Sequence, residues 1–408
     1  NCGIAETENH FEMMEHWNGK IVQMKKNNRK KFYIVTTVPA SLNFFKGQLA
    51  YLSNDFEVVA ISSDKKNLEH FGEGEGIDTY HIPMERPISL LNDFKSLIRF
   101  LFFFSKKKPD IVHGNTPKGS FLSMIAAKLT SVPVRIYMCH GLRYQGYGGL
   151  MRTLLKTMER VSCYCATEVL CVSNGVKATL MEDGISKASK LKVIWNGSAN
   201  GIDTDRFDRK MVSLEALSSI ANSVDRFVFC FVGRIVKDKG INELVSAFNR
   251  LSAIYNDINL MLIGQFEDND NPVDKTTKED IHLNSKIHFW GIQKDVRPFM
   301  CASDVFVLPS YREGFGMVLM EAGALGVPCI TTDINGCNEI IQDGVNGRII
   351  PPRDEEALYE AMKWMYEHRN AEVKEMAKRA RPMIIERYEQ HKVWEALLEE
   401  YRSLDNNV

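Results

Sequence analysis

One stretch, residues 305–328 (VFVLPSYREGFGMVLMEAGALGVP), constrains the fold of this chain more than any other. It begins with a short apolar, β-branched run at 305–308, which is typical of a buried parallel strand. A turn with two glycines follows, and residues 317–325 then have the pattern of a helix. This order directs backbone N–H groups and the positive end of a helix dipole at one point. The stretch therefore predicts an α/β fold with an anion site at this loop.

Two carboxylates bracket the same loop: Glu313 lies in the turn, and Glu321 follows Met317 by about one helical turn. A phosphate site with two acids nearby and no lysine in its loop suits a ligand that carries both phosphates and hydroxyl groups. A nucleotide sugar is such a ligand. Taken alone, the two glutamates are equally consistent with ordinary solvated side chains beside a strand-to-helix turn.

Glu313 and Glu321, separated by seven residues and wrapped around Gly-Phe-Gly, resemble the signature of the retaining glycosyltransferases of family 4, the group 1 glycosyltransferases. The resemblance is strongest over Gly233–Pro352 and continues more weakly over Lys31–Phe207. It implies the α/β fold called GT-B, in which two doubly wound parallel-sheet (Rossmann-like) domains face each other across a cleft.

The rest of the chain agrees with this architecture, because predicted strands alternate with helices at the spacing of βαβ units. We predict an acceptor-side Rossmann-like domain over residues 24–200 and a nucleotide-sugar-binding domain over 201–387, joined at the polar hinge 196–207. A C-terminal helix over 388–408 is expected to cross back to the first domain. Residues 1–23 do not fit the pattern, and we interpret them as an extension without an assigned function.

The composition restricts the classes of protein to which this chain can belong. With 408 residues, 44% of them hydrophobic and 25% charged, the chain is typical of a globular protein of two or three domains. Nine scattered cysteines without a C-x-x-C pair favour a reducing compartment over a disulfide framework or a zinc site. The longest apolar run, 97–104, contains Arg99 and is far shorter than the roughly 20 residues of a membrane span. No signal peptide is expected, and these features predict a cytoplasmic protein.

Two cations, Arg234 and Lys239, follow a predicted strand and begin a helix, each beside a glycine. Positive charge at a helix N-terminus is unfavourable for stability, so these side chains need another reason to be there. Neutralising a diphosphate leaving group is one such reason, and a pair of solvated cations is the alternative. In the family that the chain resembles, the matching Arg and Lys contact the donor diphosphate.

The resemblance implies further donor contacts. Glu321 would bind the ribose hydroxyls, Glu313 would face the transferred sugar, and Ile292 would pack against the base. The backbone of the glycine loop would donate to sugar or phosphate oxygens. The full set of predicted donor-binding residues is Gly233, Arg234, Lys239, Ile292, Glu313, Gly314, Phe315, Gly316, Met317 and Glu321.

His140 ends a predicted strand of the first domain and matches the family histidine that points toward the donor sugar, although a structural hydrogen-bonding role is the alternative. The loop after the first strand is expected to border the acceptor, and it lacks the paired glycines that the family often has there. The predicted acceptor-side residues are Asn43, Phe44, Lys46 and Gly47. The predicted catalytic residues are His140, Glu313, Arg234 and Lys239.

Two further motifs are weaker. Asp203-Thr-Asp205 has the D-x-D form of metal-dependent glycosyltransferases of another fold, but it lies in the hinge, and we predict no obligatory metal and no other cofactor. Residues 72–76 (GEGEG) superficially resemble a dinucleotide fingerprint. They follow a helix-like stretch and precede a strand, which is the wrong order for phosphate binding, so we interpret them as a turn.

The sequence thus predicts a retaining hexosyltransferase or N-acetylhexosaminyltransferase with a donor that is most consistent with a UDP-sugar. Residues 115–120 (NTPKGS) and 140–143 (HGLR) resemble enzymes of bacterial capsule, O-antigen and protein-glycan assembly, which implies an undecaprenyl-diphosphate-linked acceptor. One alternative is a nucleotide-sugar 2-epimerase of the same fold, which would need acids that the first domain's cleft loops mostly lack. The other is a non-catalytic nucleotide-sugar-binding protein, against which the set of two cations and two glutamates argues.

Charge is distributed unevenly along the chain. Residues 24–200 carry 25 Lys and Arg against 14 Asp and Glu, whereas residues 201–408 carry 25 against 34. Basic clusters at 25–31 and 106–108 favour contact with an anionic membrane, and a basic amphipathic helix can lie in the interface. A solvated helix end is the alternative for 106–108. We therefore expect salt-sensitive peripheral binding to the inner face of the cytoplasmic membrane without insertion, and no nucleic acid partner.

Overall fold

The computed structural model describes residues 29–224, 226–267 and 271–406. The predicted extension at 1–23 and the first two lysines of the basic cluster, Lys25 and Lys26, lie outside the described residues. Residues 225 and 268–270 do so as well. Side chains are described up to Leu404.

The described chain forms two compact units. The first unit comprises the described residues up to 138, residues 156–169 and the described residues from 400 onward. The second unit comprises residues 139–155 and 170–399. This division differs from the sequence-based boundary at residue 200, because the segments 139–155 and 170–199 group with the second unit.

Two sheets organise the chain, and most of their strands are the near-continuous apolar strands of sheets that are covered by helices on their two faces, whereas the edge strand at 78–81 is polar and largely exposed. The seven strands of the first sheet are β1 (Lys30–Val35), β2 (Phe56–Ser62), β3 (Asp78–His81), β4 (Ile111–Gly114), β5 (Val134–Cys139), β6 (Glu168–Cys171) and β7 (Leu191–Lys192). Their spatial order is β3-β2-β1-β4-β5-β6-β7, and β1 pairs in parallel with both β2 and β4.

The second sheet is parallel throughout. Its six strands are β8 (Phe227–Val232), β9 (Ile258–Ile263), β10 (Ile287–Gly291), β11 (Val305–Leu308), β12 (Cys329–Thr332) and β13 (Gly347–Ile350). Their order is β10-β9-β8-β11-β12-β13. The predicted α/β class with two parallel sheets is confirmed.

Helices connect the strands. In the first part of the chain they are α1 (Gln48–Leu52), α2 (Lys65–Glu75), α3 (Leu90–Lys107), α4 (Pro117–Leu129), α5 (Gly149–Cys165) and α6 (Asn174–Glu182). In the remainder they are α7 (Leu214–Ser223), α8 (Ile241–Ile254), α9 (Lys275–Leu283), α10 (Arg297–Cys301), α11 (Met317–Ala324), α12 (Cys337–Ile340), α13 (Glu355–Glu367), α14 (Glu372–Tyr388) and α15 (Gln390–Asn406). Within the described ranges, no helix has the length and apolar character that crossing a bilayer requires.

The interpretation of residues 72–76 as a turn is wrong, since α2 continues through Gly72 and Gly74. The helix ends at Gly76, whose left-handed φ of 67° forms its C-cap. Gly72 is needed for packing, because a Cβ atom there would lie 2.3 Å from Thr79 Cγ2. The glycines therefore serve close packing and helix termination, which their spacing alone does not distinguish from a turn.

The end of α15 belongs to the first unit. There Tyr401 Oη lies 3.1 Å from His113 Nε2, and the Tyr401 ring packs 5.1 Å from the ring of Phe32. A buried tyrosine hydroxyl requires such a partner, and His113 is fully buried on β4. These contacts explain why the last helical turns group with the first sheet.

Candidate active site

The predicted site lies at the carboxyl edge of the second sheet. Its strand order reverses between β8 and β11, which are hydrogen-bonded neighbours with Phe229 opposite Val305. Open α/β sheets bind ligands at such a reversal, beyond the carboxyl ends of the two strands. The loop 233–240 leaves β8 at this edge, and the loop 309–316 leaves β11.

Glycines allow these loops to approach each other. Gly240 has a φ of 70°, and a Cβ atom at this position would lie 2.1 Å from the carbonyl oxygen of Pro309. Behind it, a Cβ atom on Gly264 would lie 1.7 Å from the carbonyl oxygen of Gly233. No side chain fits in either place, so glycine at 240 and 264 is what brings the 233–240 loop against its neighbours.

The turn at Lys237–Lys239 places two charged side chains against the β11 loop. The ammonium group of Lys239 donates to Glu313 Oε1, and both side chains are about four-fifths buried. Arg312 donates to Asp238 Oδ2 through Nε at 2.9 Å and through Nη2 at 2.5 Å. Two ion pairs therefore join the loops, and the partly buried Lys239–Glu313 pair is the less screened of the two.

The β11 loop is also held on both sides by backbone contacts within the second unit. A Cβ atom on Gly314 would lie 1.7 Å from the carbonyl oxygen of His140. A Cβ atom on Gly336 would lie 2.6 Å from the carbonyl oxygen of Gly314. Gly314 is thus confined between two backbone segments, which fixes the position of the adjacent Glu313.

These segments line a cavity of about 290 Å³. Its lining residues are His140, Gly141, Leu142, Arg143, Gln145, Arg234, Asp238, Lys239, Arg312, Glu313 and Gly314. All four predicted catalytic residues and the predicted donor-binding residue Gly314 are among them. Sequence reasoning assigned no role to Asp238, Arg312 or Gln145. The one available signal was that Asp238 and Arg312 are direct neighbours of Lys239 and Glu313.

His140 is half-buried on this wall, and burial lowers the pKa of its imidazole to about 4. The ring is therefore neutral at pH 7, with one nitrogen able to donate a hydrogen bond and the other able to accept one. In this state His140 can orient a sugar hydroxyl, but it cannot contribute a positive charge.

Arg234 also lines the cavity, but its guanidinium donates to Glu267 Oε2 at 2.7 Å. The Arg234 side chain is 47% exposed, so this ion pair contributes little stability and a phosphate can compete for the guanidinium. Lys239 is held more firmly, because it is more deeply buried and paired with Glu313.

The beginning of α11 differs in part from the prediction. Gly316 has φ −76° and ψ 66°, an inverse γ-turn in which the Met317 N–H donates to the Phe315 carbonyl at 2.8 Å. The predicted donation from Met317 to a ligand is therefore not available in this conformation. The Phe315 ring packs 5.5 Å from the ring of Tyr388, which gives this residue a structural role.

Glu321 lies on α11 outside the set of cavity-lining residues. Burial raises the pKa of this carboxyl to about 7, and Arg206 opposes the rise. A carboxyl in this state titrates near neutral pH and gains most from a ligand that donates hydrogen bonds to its ionised form. Ile292 is likewise outside this set, exposed just after Gly291 at the end of β10.

The predicted acceptor-side residues belong to the first unit. Residues Pro39–Phe45 form a 3-10 helix after β1, where the sequence predicted an irregular loop. The Gly47 N–H donates to both carboxylate oxygens of Glu75 at 2.9 Å, which fixes the start of α1. Asn43 and Lys46 line a separate cavity of about 680 Å³, and Phe44 is exposed.

The D-x-D motif has a local structural role. Asp203 Oδ1 accepts a hydrogen bond from the backbone N–H of Arg206 at 2.9 Å, which closes a turn within the segment predicted as the hinge. Over the described parts of the chain, no three His, Cys, Asp or Glu side chains come close enough together to hold a metal ion.

This fold and site define a class of protein. Two parallel α/β sheets, with a cation-lined cavity at the strand-order reversal of the second sheet, are the features of a GT-B glycosyltransferase. The structure is similar to that of HepE from Anabaena, which was solved in complex with UDP. The TM-score is 0.75 at 19% sequence identity, and the match covers 92% of this chain and 100% of that one.

Comparison of sequences gives the family. The family described as Glycosyl transferases group 1 matches residues 215–383, and the one described as Glycosyltransferase Family 4 matches residues 48–206. The capsular polysaccharide biosynthesis glycosyltransferase CapM of Staphylococcus aureus is 35% identical over 335 residues, covering 82% of this chain and 86% of CapM. The chain belongs to the group 1 glycosyltransferases.

A second relative has a more detailed name. The Escherichia coli UDP-Gal:alpha-D-GlcNAc-diphosphoundecaprenol alpha-1,3-galactosyltransferase is 29% identical over 295 residues, covering 71% of this chain and 74% of that protein. The similarity of both relatives extends over most of their lengths, so the predicted resemblance to glycosyltransferases of surface-glycan assembly is confirmed.

Proposed function

We propose that this glycosyltransferase moves a sugar from a UDP-sugar, with retention of configuration, to a diphosphoundecaprenol-linked glycan of a bacterial capsule or O-antigen. The observation that carries the proposal is the cavity in which Lys239 and Glu313 form a partly buried ion pair beside a neutral His140. A cation, a carboxylate and a neutral imidazole meet there, at the place where this fold class binds ligands.

The charge of the cavity fits a diphosphate. Its lining contains four cationic side chains and two carboxylates. The donor diphosphate gains negative charge as its bond to the sugar breaks, and cations that are already in position stabilise that charge. Lys239 and Arg234 are the predicted contacts, and the exposed Glu267 pair of Arg234 can open when phosphate oxygens arrive.

Retention is proposed through front-face attack. The acceptor hydroxyl oxygen forms the new bond to the anomeric carbon as the bond to the leaving phosphate oxygen breaks. That phosphate oxygen takes the hydroxyl proton. Glu313 is engaged with Lys239, which makes it a poor nucleophile for a covalent intermediate and supports this course over a double displacement.

The uridine nucleotide is supported by the names of the relatives: HepE was solved with UDP, and the Escherichia coli relative uses UDP-Gal. We propose that the ribose hydroxyls donate to Glu321. Such hydrogen bonds favour the carboxylate and would offset the burial that raises its pKa.

The acceptor assignment is supported by the same Escherichia coli relative, whose name includes a diphosphoundecaprenol-linked sugar, and by the capsular role in the name of CapM. A lipid-linked acceptor would place the reaction at the inner face of the cytoplasmic membrane. We further propose that no metal ion is obligatory, with cationic side chains taking its part at the diphosphate.

The test combines binding with product analysis. A thermal-shift screen against UDP-, GDP- and ADP-sugars should show the largest stabilisation with a UDP-sugar. The purified protein should then convert that donor and a short-chain polyprenyl-diphosphate N-acetylglucosamine acceptor to a disaccharide, whose anomeric configuration NMR determines. An inverted linkage would refute retention, and an epimerised donor without transfer would establish the 2-epimerase alternative. Donor binding without either product would identify a non-catalytic binding protein.

A further inference from the structure

Helix α3 (Leu90–Lys107) of the first unit carries apolar side chains that the fold leaves uncovered. Its core-facing side is well packed: Phe100, Phe103 and Phe104 are buried, and the Phe103 ring stacks 3.7 Å from the ring of Tyr80. The helix is also anchored by Asp93, which lies 2.7 Å from the Lys118 ammonium group on α4. These contacts fix which face of α3 points away from the sheet.

On that outward face lies a row of large apolar side chains with high exposure. The exposed fractions are 82% for Leu90, 79% for Leu91, 62% for Phe94, 48% for Ile98 and 69% for Phe102. At 100° per residue these five positions fall within an arc of about 120°. Scattered exposed leucines are normal on a protein surface, but a contiguous apolar row marks a contact surface.

Cations border this row on one side. Lys95, Arg99 and Lys106 fall within the next roughly 60° of the helix surface and are all exposed. The one acidic residue in α3, Asp93, is paired with Lys118 and is not part of the row. The helix thus has three sectors: one packed in the core, one exposed and apolar, and one exposed and basic. An exposed apolar face flanked by Lys and Arg is the pattern of helices that lie in a membrane interface.

We propose that the apolar row of α3 docks on an anionic lipid bilayer, with its Leu, Ile and Phe side chains in the headgroup–acyl boundary and the adjacent cations at the lipid phosphates. The charge complementarity favours this occupant over a second protein surface, because the basic border matches anionic headgroups. The sequence predicted a membrane contact through the basic clusters at 25–31 and 106–108, without insertion. The exposed row extends the proposed contact toward the N-terminus of α3. It also adds the burial of apolar side chains to the contact.

The experiment is vesicle co-sedimentation of the full chain with mixed phosphatidylglycerol and phosphatidylcholine, without any sugar substrate, so that it is independent of the proposed function. Leu91→Ser/Phe94→Ser/Phe102→Ser should lower the partition coefficient roughly tenfold or more. Lys95→Gln/Arg99→Gln/Lys106→Gln should weaken binding at low salt and much less at high salt.

Met211→Ser/Leu214→Ser/Leu283→Ser is the matched control, because these three apolar side chains are exposed to a similar extent in the second unit. It should bind vesicles as the wild type does. A Phe94→Trp variant reports insertion directly, since brominated lipid should quench the added fluorescence. This second measurement decides the question even if the triple α3 variant folds poorly.

Two results would overturn the proposal. In the first, the α3 apolar variant binds vesicles as strongly as the wild type does, and the Phe94→Trp variant shows no quenching. The second is a shift from dimer to monomer in that variant with unchanged vesicle binding, which would assign the row to an interface between copies of the chain.

Discussion

The loops that carry the predicted ligand contacts of the two units are built in different ways. In the second unit, the loops after β8 and β11 are joined by two ion pairs and by backbone contacts that leave no room for a side chain at Gly240 or Gly314. In the first unit, the segment after β1 is a short 3-10 helix with Asn43 and Phe44 exposed beside an open cavity.

The difference has a physical meaning. Groups that stabilise developing charge are most effective when they are already in position, since no energy is then spent on reorganising them during the reaction. The cavity in the second unit has this character, with its charged groups held in place by glycine-permitted contacts. An exposed side chain such as that of Asn43 loses less rotamer freedom on folding than a buried one, so we expect the predicted acceptor side to adapt when its ligand binds.

The largest effect is expected at Lys239, the partly buried cation of the preorganised cavity. Lys239→Ala removes a contact to the leaving diphosphate and leaves Glu313 without its partner, so turnover should fall by about 10²-fold or more. Steady-state kinetics with the UDP-sugar measure this. Lys237→Ala is the matched control, because Lys237 is two residues away, half exposed and paired with Asp274. Near-wild-type turnover in both Lys239→Ala and Arg234→Ala would refute the assignment of this cavity to the diphosphate.

Replacement of a glycine in the β11 loop should test how closely this loop packs against the backbone at His140. Gly314→Ala places a methyl group where the His140 carbonyl oxygen lies, so the loop must shift, at a cost of roughly 1–3 kcal/mol in stability and a comparable loss in kcat/KM. Thermal unfolding and kinetics report the two effects. Gly148→Ala, at an open position outside both cavities, should change stability and activity little. Equal behaviour of the two variants would show that the β11 loop is not confined.

Titration of the Glu321 carboxyl should make the affinity for the donor depend on pH. This carboxyl has a folded-state pKa of about 7 against an ordinary 4.5, so the folded chain binds more protons than the unfolded chain between these values. The contribution of Glu321 to stability therefore falls as pH rises through this window. A ribose that prefers the carboxylate should bind more tightly as pH rises through 7 and should release protons at pH 7.

Calorimetry of UDP-sugar binding in two buffers of different ionisation enthalpy measures that release. Glu321→Gln should abolish it, and Glu321→Ala should weaken binding by roughly 1.5–3 kcal/mol, the scale of hydrogen bonds to a charged group. Unchanged affinity and unchanged proton release in these variants would place the ribose elsewhere.

The smallest effect is expected from removal of metal ions. If cationic side chains take the part of a metal at the diphosphate, EDTA should change the initial rate by less than about twofold. Complete loss of activity that Mn²⁺ restores would contradict this prediction. It would also support Asp203 and Asp205 as metal ligands.

Sequence reasoning identified residues from separate loops that the structure brings together. His140, Arg234, Lys239 and Glu313 line one cavity although 173 positions separate the first from the last. Strand and glycine patterns placed Arg234, Lys239 and Glu313 in the loops after β8 and β11, because parallel strands deliver their following loops to one edge of the sheet. His140 follows a strand of the first sheet, and the resemblance to the family selected it. Their roles at that edge stay predictions until the variants above are measured.

Other features could not be predicted. The pairing of Arg312 with Asp238, the γ-turn that occupies the Met317 N–H, and the helix α7 all depend on neighbours that are distant in sequence or on turns without a distinctive residue pattern. The break between α14 and α15 at Glu389 likewise depends on a distant contact, since a bridge pairs this residue with Ile202.

The sequence by itself determined the α/β fold class, since local hydrophobic patterns and glycine positions specify strands, turns and the order in which they alternate. The glycosyltransferase family was implied by the resemblance of the segment around Glu313 and Glu321. Tertiary structure alone decided which cation pairs with which carboxylate and that His140 is neutral, because pKa and ion pairing depend on burial by residues far away in the chain. Tertiary structure also decided which face of α3 is buried. That helix is apolar on more than one side, and only packing against the sheet determines which side is buried and which remains exposed.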